Sequence, residues 1–400
     1  MIFVVRSAGA LGCAALVLLT GCSSDTPQAV GRPSTSASAG ASSTPTRPAR
    51  THPAPLVLAP SGPAAPAPSG GLRNPDSRPS APAPRTAARP STAPVRSRPG
   101  LSAQPAPPAP GVDPLTGRSP VGAAPVVALK VDNGPLARRY QRGLAGAAVV
   151  YQELIEGSST RLVAVYDNGY RGEVGQIRSV REGDAELLGQ HGSVALGFSG
   201  GNTGVKAGFR SSVRRGRIFD ASYDRLPRLY RLGEQRADAR NFFTTPARLA
   251  AAVPGATRVR PTGLRFGPVP GGSPVRSATA SFARGTTVRV RYLPADGVWQ
   301  VFQDGRQMVG YTPTNVVVQQ VRVRASRYAD VLGSNSPFTV TIGSGPVSVL
   351  RGGLRVDGRW QRANVSGVTR YLDARGGDLR LKPGPTLILL VPTGRALTVG

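Results

Sequence analysis

Val126-Val127-Ala128-Leu129-Lys130-Val131 is a short run of mostly β-branched and aliphatic residues, and it reads as a strand buried on both faces. Leu162-Val163-Ala164-Val165-Tyr166 and Ser193-Val194-Ala195-Leu196-Gly197 read the same way. Helical signals sit among them: Thr245-Pro246-Ala247-Arg248-Leu249 opens a short helix, with Thr245 as N-cap and Pro246 at the first helical position. Outward from this half, Thr257 to Ser273 is rich in glycine and proline and marks a domain boundary. Beyond it Ser277–Ala283, Thr287–Tyr292, Val298–Gln303 and Asn315–Arg324 alternate apolar with polar residues. Phe338–Ile342, Val347–Leu350, Gly358–Gln361 and Thr386–Val391 continue the series between Gly, Asp-Gly and Pro-Gly turns. The expected fold class is therefore α+β: a mixed α/β N-terminal domain over residues 112–260, then a mainly-β domain, sandwich or barrel-like, over residues 275–393.

Outward in the other direction the chain stops looking globular. From Ser23 to about Gly111 it is proline, alanine, serine, threonine and arginine, as in Pro105-Ala106-Pro107-Pro108-Ala109-Pro110. Such a segment buries too little apolar surface to offset its ordering entropy, so residues 22–111 read as a disordered stalk. In polyproline II, at about 3.1 Å per residue, it would reach on the order of 250–300 Å. Before it, Arg6 and the apolar stretch Leu11 to Leu19 have the order of a signal peptide over residues 1–21. The apolar stretch is shorter than the roughly 20 residues that a permanent span needs. Leu19-Thr20-Gly21-Cys22 has the aliphatic-small-small-Cys order of a bacterial lipobox, which makes Cys22 the expected lipidation site. Two acyl chains meet the requirement for stable anchoring. The other cysteine is Cys13, so the processed chain has no disulfide and no thiolate metal site.

The formal net charge is +29, and lysine occurs only at Lys130, Lys206 and Lys382, so nearly all the positive charge is arginine. The arginines are spread along the chain rather than gathered with aromatics in one basic helix. Nucleic acid is not an expected partner, whereas anionic envelope polymer suits a basic exported surface. Gly197-Phe198-Ser199-Gly200-Gly201 matches the Gly-x-Ser-x-Gly elbow in form. His191 precedes it, however, and a hydrolase of that type places its histidine after the serine. No catalytic residue is assigned, and no metal or other cofactor is expected. Asp132-Asn133-Gly134 reads as a turn.

Two patches carry charge in a pattern with chemical meaning. Glu153-Leu154-Ile155-Glu156-Gly157-Ser158-Ser159-Thr160-Arg161 closes a strongly apolar run, and Gly175-Gln176-Ile177-Arg178-Ser179-Val180-Arg181 follows. Arg161, Arg178 and Arg181 can form a forked cluster for phosphate or carboxylate, with Glu153 and Glu156 nearby. The plain structural alternative is that the arginines pair with Glu153, Glu156 and Glu182 and pin neighbouring strands.

With these motifs in view the chain resembles the YerB-type bacterial lipoprotein family. The resemblance rests on Pro114-Leu115-Thr116-Gly117, Val131-Asp132-Asn133, Tyr151-Gln152-Glu153, Glu156-Gly157, Thr160-Arg161-Leu162-Val163-Ala164 and the run from Gly175 to Arg181. Farther on it includes Asn315-Val316-Val317-Val318-Gln319, Gly343-Ser344-Gly345, Gly358-Arg359-Trp360 and Leu381-Lys382-Pro383-Gly384-Pro385-Thr386. It implies a two-domain extracytoplasmic lipoprotein without an established reaction. The chain departs from the family pattern at Ala239-Arg240-Asn241, where relatives carry Ala-Pro-His-Asn, and at Leu387, where tryptophan is usual.

The functional expectation is a membrane-anchored extracytoplasmic lipoprotein that binds a cell-wall polymer or an envelope protein. The rival is an envelope enzyme acting on a phosphorylated or acidic glycan or lipid. In that rival the three arginines would hold the anion and Glu153 or Glu156 would serve as acid or base.

Overall fold

The structure, a computed structural model, describes residues 111–120, 124–233, 241–268, 271–329, 335–395 and 397–400. The signal peptide, Cys22, the stalk up to residue 110, and Ala239 and Arg240 lie outside the described residues.

Strands dominate. In the N-terminal half they are β1 (Val127–Asp132), β2 (Val149–Leu154), β3 (Thr160–Tyr166) and β4 (Val174–Ile177). Short strands β5 (Ala195–Gly197), β6 (Phe219–Asp220), β7 (Tyr230–Leu232) and β8 (Phe242–Thr244) follow. The three α-helices among the described residues all lie in this half: α1 (Asp184–Leu188), α2 (Thr203–Arg214) and α3 (Pro246–Ala252). Helix is thus the minor component even where α and β signals mix. Thr245 and Pro246 start α3 as their types suggest, although the Thr245 side chain makes no capping hydrogen bond.

The C-terminal part is mainly β. Strands β9 (Ser277–Ala283), β10 (Thr286–Leu293) and β11 (Val298–Gln303) are the core of a five-stranded sheet. Their alternation turns Ala278, Ala280, Phe282, Trp299 and Val301 inward. The apolar stretch expected as one strand over Asn315–Arg324 divides after Val321. Strand β12 (Asn315–Val321) stays in the main sheet, while β13 (Val323–Ala329) turns away and pairs with β14 (Asn335–Thr339) in a separate hairpin. Strands β15 (Gly343–Arg351), β16 (Leu354–Arg362) and β17 (Thr386–Pro392) return to the main sheet.

That main sheet has fourteen strands, and its middle runs β15-β12-β17-β2-β3-β1. Strand β17 is parallel to both neighbours, with Leu387 opposite Val316 of β12 on one side and Val150 of β2 on the other. Its sequence, Thr386-Leu387-Ile388-Leu389-Leu390-Val391, has no polar alternation because both faces are covered. On one face Val150, Leu162, Leu387 and Leu389 join Phe282, Val290, Trp299 and Val301 of the five-stranded sheet in a single core. On the other, Val149, Val163, Ile388 and Leu390 pack with Leu187, Leu188, Val205 and Phe209 of α1 and α2. Each such side chain contributes about 1.5–3 kcal/mol by leaving water. Leu387 is 1 % exposed within the first of these cores.

The sheet forks at β1. Strand β3 pairs antiparallel with all of β1. On the opposite edge β5 runs parallel to Val127–Leu129, while β4 meets β1 only at Val131. The fork opens beside Lys130, whose carbonyl accepts from the Arg178 N–H at 2.9 Å; the Arg178 carbonyl then accepts from the Ser199 N–H at 3.0 Å.

Candidate functional site

Charged side chains crowd the face under α1 at this fork. Asp132 at the end of β1, Arg161 at the start of β3 and Glu153 near the end of β2 fall in one cross-strand row. Lys130 lies two residues back on the same face. Its Nζ donates to Glu153 Oε1 at 2.5 Å and to Asp184 Oδ1, the first residue of α1, at 2.8 Å. All three side chains are buried, so the trio fastens α1 to the sheet. Burial pushes the Glu153 carboxyl up; Lys130 pulls it back and the neighbouring Asp184 charge adds to the rise. Asp184 also caps the bend before α1, its Oδ2 accepting from the Arg181 N–H at 2.7 Å.

The three arginines converge. Arg161 is 6 % exposed, with Nη2 3.8 Å from Asp132 Oδ1. Its Nε and Nη1 are buried without a hydrogen-bond acceptor. Burial lowers the Arg161 guanidinium to about 10, with Arg181 and Arg178 repelling it and Asp132 opposing the drop. Arg178 approaches the other Asp132 oxygen, Nε to Oδ2, at 3.4 Å. Arg181 donates from Nη2 to Glu156 Oε2 at 2.6 Å. The turn that carries Glu156 places Gly157 at φ 64°, left-handed backbone that favours glycine. Burial would raise Glu156, but Arg181 and the donating Ser336 hydroxyl of β14 outweigh it and hold the carboxyl below its usual range.

Asp132-Asn133-Gly134 does form a turn, with the Gly134 N–H donating to Asp132 Oδ1 at 3.0 Å, yet each side chain has further duties. Asp132 faces two arginines. Asn133 Nδ2 donates to Thr160 Oγ1 at 2.8 Å and to Gln303 Oε1 at 3.1 Å, and Gln152 Nε2 donates to the same Gln303 oxygen at 2.6 Å. This buried amide network ties the main sheet to β11.

Of the expected pairings, Arg181 takes Glu156, Glu153 goes to Lys130, and Glu182 goes to Arg327 of the hairpin at 2.9 Å. Lys130, Asp132 and Asp184 are the members that reading for arginine and glutamate passed over. The available signal was Lys130 itself, since a lysine inside a strand buried on both faces requires an acid partner. His191 is engaged away from the serine of Gly197–Gly201: its Nε2 lies 2.9 Å from the Tyr151 hydroxyl, and burial, then Arg362 and Arg260, lower it to about 3. Among the described residues no group of three His, Cys, Asp or Glu side chains is placed to hold a metal, and no helix is long and apolar enough to cross a membrane.

Comparison with known proteins places this geometry in a family. Residues 115–259 match the domain described as "Protein of unknown function (DUF3048) N-terminal domain", and residues 278–388 match its C-terminal domain. The crystal structure of YerB protein from Bacillus subtilis is similar in fold, with a TM-score of 0.60 at 20% identity over 72% of this chain and 99% of that one. No curated protein sequence matches. The chain therefore belongs to the YerB-type family of two-domain proteins of unknown function, built from the DUF3048 N- and C-terminal domains.

Proposed function

We propose that this chain is an extracytoplasmic lipoprotein, anchored through a lipid on Cys22, that binds an anionic group of a cell-envelope component at the Arg161–Arg178–Arg181 cluster. The observation that carries this reading is Arg161, buried with two of its three guanidinium nitrogens lacking an acceptor. A buried donor left unmade costs on the order of 1–3 kcal/mol, more for a charged group, and a bound oxyanion supplies the missing acceptor. Lys130, Arg161, Arg178 and Arg181 face Asp132, Glu153, Glu156 and Asp184, so an oxyanion entering here would meet fixed cations already gathered on one face.

Binding is favoured over acid–base catalysis by the state of the glutamates. Glu153 is sealed against Lys130 and Asp184, and Glu156 is held ionised by Arg181, whereas a general acid needs a raised carboxyl within reach of substrate. We class residues 112–260 as mixed α/β because β5, α2 and β6 make a parallel strand–helix–strand unit beside the cluster.

The test uses full-length protein in neutral detergent, passed over purified cell wall and over immobilised membrane extract. Retention on one of them, lowered at least fivefold by Arg178→Ala with Arg181→Ala while the melting temperature holds, is the expected result. Equal retention of the double variant would sink the cluster reading. The anchor is tested separately: Cys22→Ala moves the protein out of the membrane fraction, and a variant that stays there removes the lipoprotein assignment.

A further inference from the structure

A second basic feature lies apart from the buried cluster. Between α2 and the β13–β14 hairpin runs a groove of about 450 Å³ whose lining includes five arginines against two glutamates, Glu182 and Glu186. Arg181 and Arg327 are occupied by Glu156 and Glu182. Arg215, Arg217 and Arg324 are exposed and have no carboxylate partner among the described residues. A second cavity of about 510 Å³ continues past Arg324 and Phe338, which line both, and adds Arg322. Glu186 lines both as well, its Oε1 accepting from the Thr341 N–H and hydroxyl, and the two cavities make one trough in which arginines outnumber carboxylates.

Aromatic rings also line the trough. Phe209 and Phe338 are buried and Tyr328 is half-buried, and the Arg324 guanidinium lies 3.8 Å over the Phe338 ring with Nη1 donating to the Ala325 carbonyl at 3.0 Å. Its width is set along α2. A Cβ at Gly204 would strike the Tyr328 ring at 2.3 Å, whereas at Gly208, one turn on, the nearest atom is the Tyr328 hydroxyl at 4.0 Å. The helix and hairpin touch at one end and part toward Arg215.

We propose that this trough is the binding site of a linear polyanion, a chain bearing a phosphate or carboxylate on each successive unit, laid between α2 and the hairpin. Exposed guanidiniums that face no carboxylate match a repeating charge, and the half-buried Tyr328 ring matches the uncharged part between. The concave shape favours a threaded chain over a flat lipid surface. None of Arg215, Arg217 and Arg324 belongs to the Arg161–Arg178 cluster, so this proposal goes beyond the reading above and can fail independently of it.

The experiment titrates full-length protein in neutral detergent with fluorescent poly(glycerol phosphate) and, in a second arm, polygalacturonate. Binding to either, weakening as salt rises, is expected, and the arm that binds identifies the anion. Arg215→Ser with Arg217→Ser and Arg324→Ser should weaken it at least tenfold. Gly208→Phe, which fills the trough without changing charge, should do the same, and Arg375→Ser, at an exposed arginine outside the trough, should leave it unchanged. Circular dichroism confirms that each variant is folded. Absence of binding by the wild type overturns the proposal, as does wild-type affinity in Gly208→Phe, which would mean diffuse attraction to the surface. Loss in Arg178→Ala alone would place the polymer in the buried cluster. Displacement of the polymer by phosphatidylglycerol vesicles, with vesicle binding abolished by the triple change, would make the trough a membrane contact instead.

Discussion

Lys130→Met is expected to destabilise the fold by about 3–5 kcal/mol, because it strands two buried carboxylates, Glu153 and Asp184, without their cation. Urea unfolding reads this directly, and a change below 1 kcal/mol would mean the trio is not the clamp described. A second residue-scale prediction concerns pH. Burial, then Asp113 beside it, push the Asp167 carboxyl up to about 8. Its folded form therefore holds a proton that the unfolded chain releases near pH 4, so its contribution is present at low pH and is lost as pH rises toward 8, at up to about 1.4 kcal/mol per unit. His191, lowered to about 3, has the opposite sign and adds stability as pH climbs from about 3 to about 6.5. Comparing wild type with Asp167→Asn cancels that term: the variant should gain on the wild type steadily from pH 5 to pH 8, and parallel curves would refute the raised Asp167 carboxyl. At this scale the sequence spoke clearly for Arg161, Arg178 and Arg181, whose spacing after two apolar strands brings them to one spot. It was silent on Asp184, because nothing in Gly183-Asp184-Ala185 says that its carboxylate will meet a lysine 54 residues earlier.

Elements were legible where their own periodicity decides them. Ser277–Ala283 and Val298–Gln303 occupy the residues their alternation marks. Asn315–Arg324 was not, because alternation continues across Val321 while the backbone changes sheets, and pattern alone carries no sign of which sheet a strand joins. The same limit applies to β17, which was read as one more member of the alternating series although its run is unbroken and buried on both faces, and nothing in it names its neighbours. Leu389→Ala tests its weight. Leu389 is buried between the main sheet and the five-stranded sheet, and its loss should cost about 2–5 kcal/mol in urea unfolding. A cost near zero would place β17 at a loose margin.

On the scale of the whole molecule, the family-matched segments 115–259 and 278–388 contribute adjacent strands to one sheet, since β17 is hydrogen-bonded to β2 as well as to β12. Cutting the chain near residue 270 leaves β2 and β17 without each other as neighbours, and strand edges left unpaired in this way pair with other chains. Residues 112–270 expressed alone should be recovered as aggregate or as a loosely packed state lacking near-UV dichroism. A soluble fragment with sharp thermal unfolding would contradict the shared sheet. Composition could not foretell this, because a glycine- and proline-rich stretch looks the same whether it separates two bodies or skirts one.

The position of β17 in that sheet also sets a clock. Its partner β2 is synthesised some 235 residues before it, so the centre of the molecule stays unzipped until residue 392 has emerged. A nascent chain halted anywhere short of that point holds an incomplete sheet, its central apolar strands still waiting for the partner that lies between them.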